Sequence, residues 1–273
     1  MKFTAVITAL ACAEAALGAR FTEARRQRHA ERAAKRAAER NSNPRLPADD
    51  SIIEGLALDN ETQVSYSSNW AGAVLIGSGY KSVTGTFVVP TPSVPSGGSS
   101  RTEYAASAWV GIDGDTATNS ILQTGVDFYV EGSTTSFDAW YEWYPDYAYT
   151  FSGISISAGD TITVTVTATS TTGGTAVVSN KSTGKSVTHT FSGQTKALQE
   201  LNAEWIVEDF SSGSSLVPFA DFGSVTFTNA QATTSSGTVG VTGAEIIDIK
   251  QSNKVLTDVS LDSSTQVTVS YIG

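Results

Sequence analysis

The chain has 273 residues, with 17 Lys and Arg against 27 Asp and Glu, and a formal net charge of −10 at pH 7. It holds one cysteine, Cys12, and two histidines. These counts exclude a disulfide framework, a thiolate metal site and a histidine-rich metal site.

Residues 1–19 have the features of a secretory signal peptide, namely Lys2 near the start, an apolar stretch after it and small residues at its end. The stretch is shorter than the roughly 20 residues that a transmembrane helix needs. We therefore predict a secreted, extracellular protein that does not span a membrane.

Residues 20–60 are predicted to form a basic prosegment and linker. Its first part, residues 20–45, is rich in the helix-favouring residues Ala, Arg and Glu, and it carries nine Lys and Arg against three acids. Residues 61–273 carry seven basic residues against nineteen acids. Charges of +6 and −12 predict that the prosegment inhibits the body electrostatically and is released at low pH, where carboxylates protonate. A nucleic-acid partner is not expected for a secreted chain with an acidic body.

Residues 61–273 are predicted to form one catalytic domain of the all-β class, an antiparallel β-sandwich of two stacked sheets with a jelly-roll or concanavalin-like arrangement. Short runs rich in Ser, Thr and Val alternate between apolar and hydroxyl side chains, as in 161–169 and 266–271, and glycines separate them. Such alternation indicates one buried and one open face in each sheet.

Four segments depart from this Thr and Val pattern: residues 105–113, 121–130, 137–144 and 202–210. In each of them one face is apolar, while the other combines acids or a carboxamide with Trp, Tyr or Gly. Aromatic rings supply contact area and polar groups fix orientation, so these second faces are typical of a substrate groove.

Few kinds of catalysis remain for this chain. His189 lies on an ordinary alternating strand, where we interpret it as a surface residue, and no Gly-x-Ser-x-Gly elbow or phosphate-binding glycine loop is present. No cofactor is expected. Carboxylate, carboxamide and aromatic side chains are left to carry any chemistry.

Five motifs in this order resemble the fungal glutamic peptidases, the eqolisin family: SNWAG (68–72), AWVGIDG (108–114), ILQTGVDF (121–128), DAWYEWYP (138–145) and NAEWIVEDF (202–210). The resemblance implies a sandwich of two antiparallel sheets, hydrolysis of proteins at acid pH without inhibition by pepstatin, and synthesis as a precursor. It places the catalytic dyad at Gln123 and Glu204. It implies substrate-binding or supporting roles for Trp70, Trp109, Asp113, Asp127, Asp138, Trp140, Glu142 and Glu208.

The residues alone leave several alternatives open. Glu208 shares a face with Glu204, so spacing does not decide which one is the base, and the tryptophans also suit plain core packing. Asp113 lies beside Gly, where Asp favours turns. Glu204 must ionise in acid, so its pKa is expected to stay low or rise modestly, with Glu208 as a neighbour held protonated.

Two other functions fit the same composition. Paired carboxylates beside tryptophans also suit a jelly-roll glycoside hydrolase, and the aromatic residues suit a lectin-like module that binds carbohydrate. The expected partners are otherwise protein or peptide substrates and the chain's own prosegment, and the mature protein is expected to be a monomer.

Overall fold

The computed structural model describes residues 38–48 and 64–273, together with helical backbone at residues 27, 31, 34 and 35. The helix ends at Glu39. Contacts divide the chain into one unit from Met1 to Arg40 and a second unit from Asn41 to Gly273. The predicted signal peptide and most of the linker lie outside the described residues. No described helix is long and apolar enough to cross a bilayer.

The second unit is built of β-strands, as predicted. The strands in the described residues are β1 Arg40–Asn41, β2 Val64–Ser67, β3 Trp70–Ile76, β4 Ser82–Val88, β5 Glu103–Ile112, β6 Ile121–Glu131, β7 Thr134–Tyr144, β8 Tyr149–Thr150, β9 Thr161–Ser170, β10 Gly173–Asn180, β11 Lys185–Phe191, β12 Asn202–Glu208, β13 Ser211–Ser212, β14 Ser215–Leu216, β15 Ser224–Thr234, β16 Gly237–Val239, β17 Glu245–Gln251, β18 Lys254–Val255, β19 Thr257–Ser263 and β20 Gln266–Tyr271.

Two large sheets contain most of these strands. The nine-stranded sheet has the order β18-β17-β3-β12-β5-β6-β7-β8, with β2 pairing β17 in parallel. The eight-stranded sheet has the order β11-β10-β9-β4-β15-β20-β19, with β16 pairing β15. Apart from β2, the pairings described between strands of these sheets are antiparallel. The predicted antiparallel architecture is therefore confirmed.

The main core lies between the two sheets and takes alternate residues from each. Leu122, Val126 and Phe128 on β6 belong to it, and so do Val164 and Val166 on β9. These residues are the apolar half of their strands, because successive side chains point to opposite faces. The sandwich thus follows from the period-two pattern of the sequence.

The two sheets differ on their outer faces. Strand β9 alternates between half-buried threonines and buried apolar residues, so its outer face meets water. Strand β6 is buried at ten consecutive positions and β12 at all seven, so both of their faces are covered. The second face of the nine-stranded sheet was expected to be an open groove, and in this structure it is closed.

Candidate active site

Strand order brings the two residues of the proposed dyad close together. Strand β12 lies between β3 and β5, and β6 lies on the other side of β5. Their registers align Glu204 with Gly111 and Gly111 with Gln123, so the two side chains flank a glycine on one face. Neighbouring strands are about 4.8 Å apart, which places the two backbones about 10 Å from each other.

The missing side chain of Gly111 leaves the space in which the two groups converge. A Cβ at this position would lie 2.6 Å from Glu204 Oε1 and 3.4 Å from the Cβ of Gln123. No more than about 6 Å therefore separates that carboxylate oxygen from the Cβ of Gln123. The two side chains therefore share the space above Gly111.

Three transverse rows on this face contain nine of the ten residues singled out in the sequence. The first row contains Glu204, Gly111 and Gln123. It ends at Glu142 on β7, which pairs with Gln123. The next row contains Trp109 and Trp140, with Gly125 between them. The third row runs in the order Trp70, Glu208, Ser107, Asp127 and Asp138.

The indole rings give this face a rigid floor. Trp70 and Trp109 meet edge to face, with 5.0 Å between ring centroids. Trp109 Nε1 donates to Glu208 Oε2 at 3.0 Å, and Trp140 Nε1 donates to Ser107 Oγ at 3.1 Å. Each buried indole N–H thus has an acceptor, so the rings are held in one orientation.

Asp127 and Asp138 lie at the far end of the third row. Asp127 is buried and accepts a hydrogen bond from the hydroxyl of Tyr129 at 2.9 Å, whereas Asp138 is half-buried. Both are thus two positions along their strands from the tryptophan row, and four from the row of the dyad.

Asp113 lies outside the three rows, and the structure gives its carboxylate a different set of contacts. It accepts hydrogen bonds from the backbone N–H groups of residues 199, 200, 201 and 202, at distances of 2.6 to 3.3 Å. Its φ of +70° puts it in the left-handed region. Asp113 therefore holds the loop that leads into β12. The last residue it binds, Asn202, lies two positions before Glu204.

Glu204 is fully buried, and neither of its carboxylate oxygens has a hydrogen-bond partner. Burial raises the pKa of Glu204 well above the usual glutamate value, and the charges of Asp113 and Asp115 raise it further. This differs from the expectation of a low or modestly raised pKa. The reason is that burial takes the carboxylate out of solvent, which disfavours its charged form.

The cover over the dyad is a stretch of the chain itself, residues 41–48, which we call the covering segment. Gln123 Nε2 donates to the carbonyl oxygen of Ser42 at 3.3 Å, and the Ser42 N–H donates to Glu142 Oε2 at 3.1 Å. The Asn43 N–H donates to Glu208 Oε1 at 3.2 Å. Three of the singled-out polar residues therefore bind backbone groups of an extended peptide.

Several site residues were not singled out from the sequence. Asn69 donates to Glu208 Oε1 at 3.5 Å and to the carbonyl oxygen of Pro44 at 3.2 Å, and its own Oδ1 accepts from the Leu46 N–H at 2.8 Å. The SNWAG motif carried a signal for it, one position before Trp70. Ser42 and Asn43 had no signal, because only the folded chain shows where they lie.

His189 lies on β11 in the other sheet, away from these rows in strand order. Its ring stacks on Tyr141 with 3.9 Å between centroids and is half-buried at the edge of the sheet. Burial lowers its pKa. Within the described residues, no group of three or more His, Cys, Asp or Glu is arranged to hold a metal ion.

Comparisons with known proteins point to one family. Residues 68–271 match the model of the peptidase A4 family. Aspergillopepsin-2 of Aspergillus niger is 56% identical, and scytalidopepsin B of Scytalidium lignicola is 43% identical, each over the full length of both chains. A crystal structure of scytalido-glutamic peptidase with a transition state analog inhibitor superposes with a TM-score of 0.69 at 43% identity, covering 75% of this chain and 98% of that one.

Proposed function

This chain belongs to the peptidase A4 family and is a glutamic endopeptidase, and we propose that it is a secreted acid protease that works through Glu204 and Gln123. One observation carries the assignment of the dyad. A peptide carbonyl, that of Ser42, accepts a hydrogen bond from the Gln123 amide beside a buried carboxyl group that has no partner.

The proposed mechanism uses one carboxyl group and one carboxamide. Glu204 takes a proton from a water molecule as the water oxygen attacks the carbonyl carbon. The Gln123 amide donates to the oxyanion that develops, and it does so at any pH because it does not titrate. Glu204 then returns the proton to the leaving nitrogen, so the carboxyl group ends each cycle ionised.

The raised pKa of Glu204 belongs to a buried carboxyl group that no donor contacts. When substrate and water replace the covering segment, the water donates to the carboxylate and lowers its pKa, since hydrogen bonds to the charged form favour it. Activity toward added substrate then rises with pH through the pKa of Glu204 in the open enzyme. A water molecule beside Glu204 in the covered precursor donates in the same way, so the carboxyl group ionises there too.

The residues around the dyad are proposed to bind the peptide backbone on either side of the bond that is cut. Glu142 and Glu208 accept backbone N–H groups from the covering segment, and Trp70 Nε1 donates to the carbonyl oxygen of Asn43 at 3.0 Å. A substrate offers the same groups whatever its side chains are. These contacts therefore suit an endopeptidase better than a sugar-binding groove.

We propose that residues 20–60 inhibit the enzyme until acid releases them. Arg45 in the covering segment pairs with Asp115 at 2.8 Å and with Glu245 at 2.9 Å. These pairs are part of the attraction between a basic prosegment and an acidic body, which weakens at low pH as the net negative charge of the body falls. Together with the N-terminal leader, this supports a secreted precursor that is activated in acid. That the mature enzyme is a monomer stays a prediction.

The dyad is tested with two variants and one control. Glu204→Gln is expected to lose roughly 10³-fold in kcat on a denatured protein at about pH 4, because the base is gone. Gln123→Ala is expected to lose roughly 10²- to 10³-fold, as for other oxyanion donors. Glu131→Gln, at the far end of β6, is the matched control and is expected to keep full activity.

Digestion is followed by the release of acid-soluble peptides, with and without pepstatin. Surviving proteolysis in purified Glu204→Gln would remove this residue as the base. Wild-type enzyme that digests nothing at acid pH would contradict the proposed function as a whole.

A further inference from the structure

One peptide bond of the chain presents its carbonyl oxygen to Gln123 of the proposed dyad. The carbonyl oxygen of Ser42 accepts from Gln123, which is the contact that the mechanism assigns to the carbonyl under attack. The bond on the C-terminal side of this carbonyl joins Ser42 to Asn43. Its geometry thus identifies a specific bond, which the sequence alone does not.

The residues that follow this bond are held along their backbone. The Asn43 N–H and carbonyl oxygen bind Glu208 and Trp70, and its side-chain amide donates to Ser211 Oγ at 2.8 Å. The Arg45 N–H donates to the carbonyl oxygen of Gly114 at 2.9 Å.

Beyond Arg45, the Leu46 carbonyl oxygen accepts from the N–H of Ser68 at 3.0 Å and from the hydroxyl of Ser67 at 2.7 Å. Such dense contacts fix the register of the peptide, so that one carbonyl and no other faces Gln123.

The carboxyl group needed for attack is present and lacks a partner. Glu204 and Gln123 converge at Gly111, and the side-chain oxygens of Glu204 and Gln123 Oε1 make no hydrogen bond although they are buried. Buried polar atoms are normally paired with protein or with ordered water. The proposed reaction places the attacking water molecule at these atoms, where it donates to the Glu204 carboxylate.

We propose that the Ser42–Asn43 bond is the first bond that the enzyme cuts, in its own chain. The proposal rests on the proposed function. The water oxygen bonds to the Ser42 carbonyl carbon, and the C–N bond to Asn43 breaks. One proton of the water passes through Glu204 to the Asn43 nitrogen, which leaves a carboxyl group on Ser42 and an amine on Asn43, without any oxidant or cofactor.

This cut separates most of the positive charge from the body. Residues 20–42 hold eight of the nine Lys and Arg found in residues 20–45, and only Arg45 stays attached. Because enzyme and bond belong to one chain, the cut is intramolecular, so its rate per molecule does not depend on protein concentration. The cut is thus the step that turns an electrostatically held prosegment into a separate peptide.

The test uses the full-length chain, brought to about pH 4 and sampled over time by intact mass and N-terminal sequencing. The expected first product begins at Asn43 and forms with the same rate constant over a hundredfold range of precursor concentration. Digestion of a denatured protein is measured in the same samples. If that protein is digested while the bond after Ser42 stays intact, the self-cleavage is wrong and the proposed function stands; if neither is cut, the proposed function fails.

Two variants of one residue sharpen the test. Asn43→Pro removes the N–H that binds Glu208 and is expected to lower the yield of the new N-terminus at residue 43 at least tenfold. Asn43→Ala keeps the N–H and loses only the side-chain bond to Ser211, so the cut should slow by no more than a few-fold. Equal rates in the two variants would overturn the proposal, and far-ultraviolet circular dichroism confirms that both are folded.

Discussion

The two sheets of the sandwich are made of similar β-forming residues, yet they use their outer faces differently. In the eight-stranded sheet, threonine hydroxyls pair across strands, as in Thr84 with Thr165 at 2.7 Å, and remain half-buried. In the nine-stranded sheet, the equivalent face contains buried carboxylates and indole rings. The comparison indicates that strand propensity accounts for both sheets, while the side chains on the outer face determine which sheet carries the candidate active site.

The two sheets also differ in the direction in which the pKa of an aspartate is shifted. On the nine-stranded sheet, burial raises the pKa of Asp248 to about 6, and the charge of Asp258 adds to the rise, although a hydrogen bond from Thr257 opposes it. On the eight-stranded sheet, hydrogen bonds from Thr268, Gln266 and Ser260 hold the pKa of Asp262 below its usual value. A buried acid with a raised pKa favours folding in its protonated form, whereas an acid with a lowered pKa favours folding when it is ionised.

The largest effect on activity is expected from adding a single methyl group to the face that carries Glu204 and Gln123. Gly111→Ala puts a Cβ 2.6 Å from Glu204 Oε1 and 2.8 Å from the ring of Trp109, so one of them must move. A displacement of about 1 Å at a reacting group costs roughly 10²-fold, and we expect that loss in kcat/KM on a denatured protein.

The matched control for this change lies in the other sheet. In Gly173→Ala the nearest atom to the new Cβ is 3.2 Å away, and activity should stay within twofold of wild type. Full activity in Gly111→Ala would contradict the convergence of the dyad at this glycine.

An intermediate effect is expected on the pH dependence of stability. Asp248 has a folded-state pKa of about 6 against an ordinary value near 4, so its stabilising contribution is present below about pH 4 and is lost as the pH rises through 6. Asp248→Asn should remove this slope, which amounts to about 1–2 kcal/mol in the free energy of unfolding after allowance for solvent screening. Urea titrations at several pH values between 4 and 7 measure it.

Asp262→Asn serves as the opposite case. The folded-state pKa of Asp262 is lowered. Its contribution to the free energy of unfolding is therefore present above the ordinary pKa of aspartate and is lost as the pH falls through the lower value. The variant should lose stability near neutral pH and approach wild type in acid. If both variants changed the slope in the same direction, the contrast between the two sheets would be wrong.

The smallest effect is expected on the outer face of the eight-stranded sheet. Thr165→Val removes the hydroxyl that pairs with Thr84 but keeps a β-branched side chain at a half-buried position. We expect a change of less than about 0.5 kcal/mol in the free energy of unfolding, because such surface positions tolerate substitution. Proteolytic activity should be unchanged, and a tenfold loss would show that this face also takes part in function.

Much of the sandwich was predictable because alternation is a local property. The division of residues 121–130 into core and second face follows from period two alone, and the structure confirms that Leu122, Val126, Phe128 and Val130 lie in the main core. The grouping of the polar residues on the opposite face was predictable for the same reason.

Proximity between strands was not predictable from these patterns. Glu204 and Gln123 lie 81 positions apart and meet only because β12 inserts between β3 and β5. Strand order depends on long-range pairing that no local pattern encodes. The cover over the dyad was missed for the same reason, since Ser42 and Asn43 contact residues 27 to 168 positions away.

The pairing of β2 with β17 has a consequence for how the protein behaves at the acidity where it is proposed to work. Residues 64–67 run parallel to 246–249 and occupy backbone groups at that margin of the sheet. Unpaired edge strands can pair with strands of other molecules and start aggregation, and charge repulsion between the molecules normally opposes this. For the full-length precursor that repulsion disappears near the sequence isoelectric point of about 4.6, so its solubility in acid depends on such short strands acting as physical barriers to polymerisation.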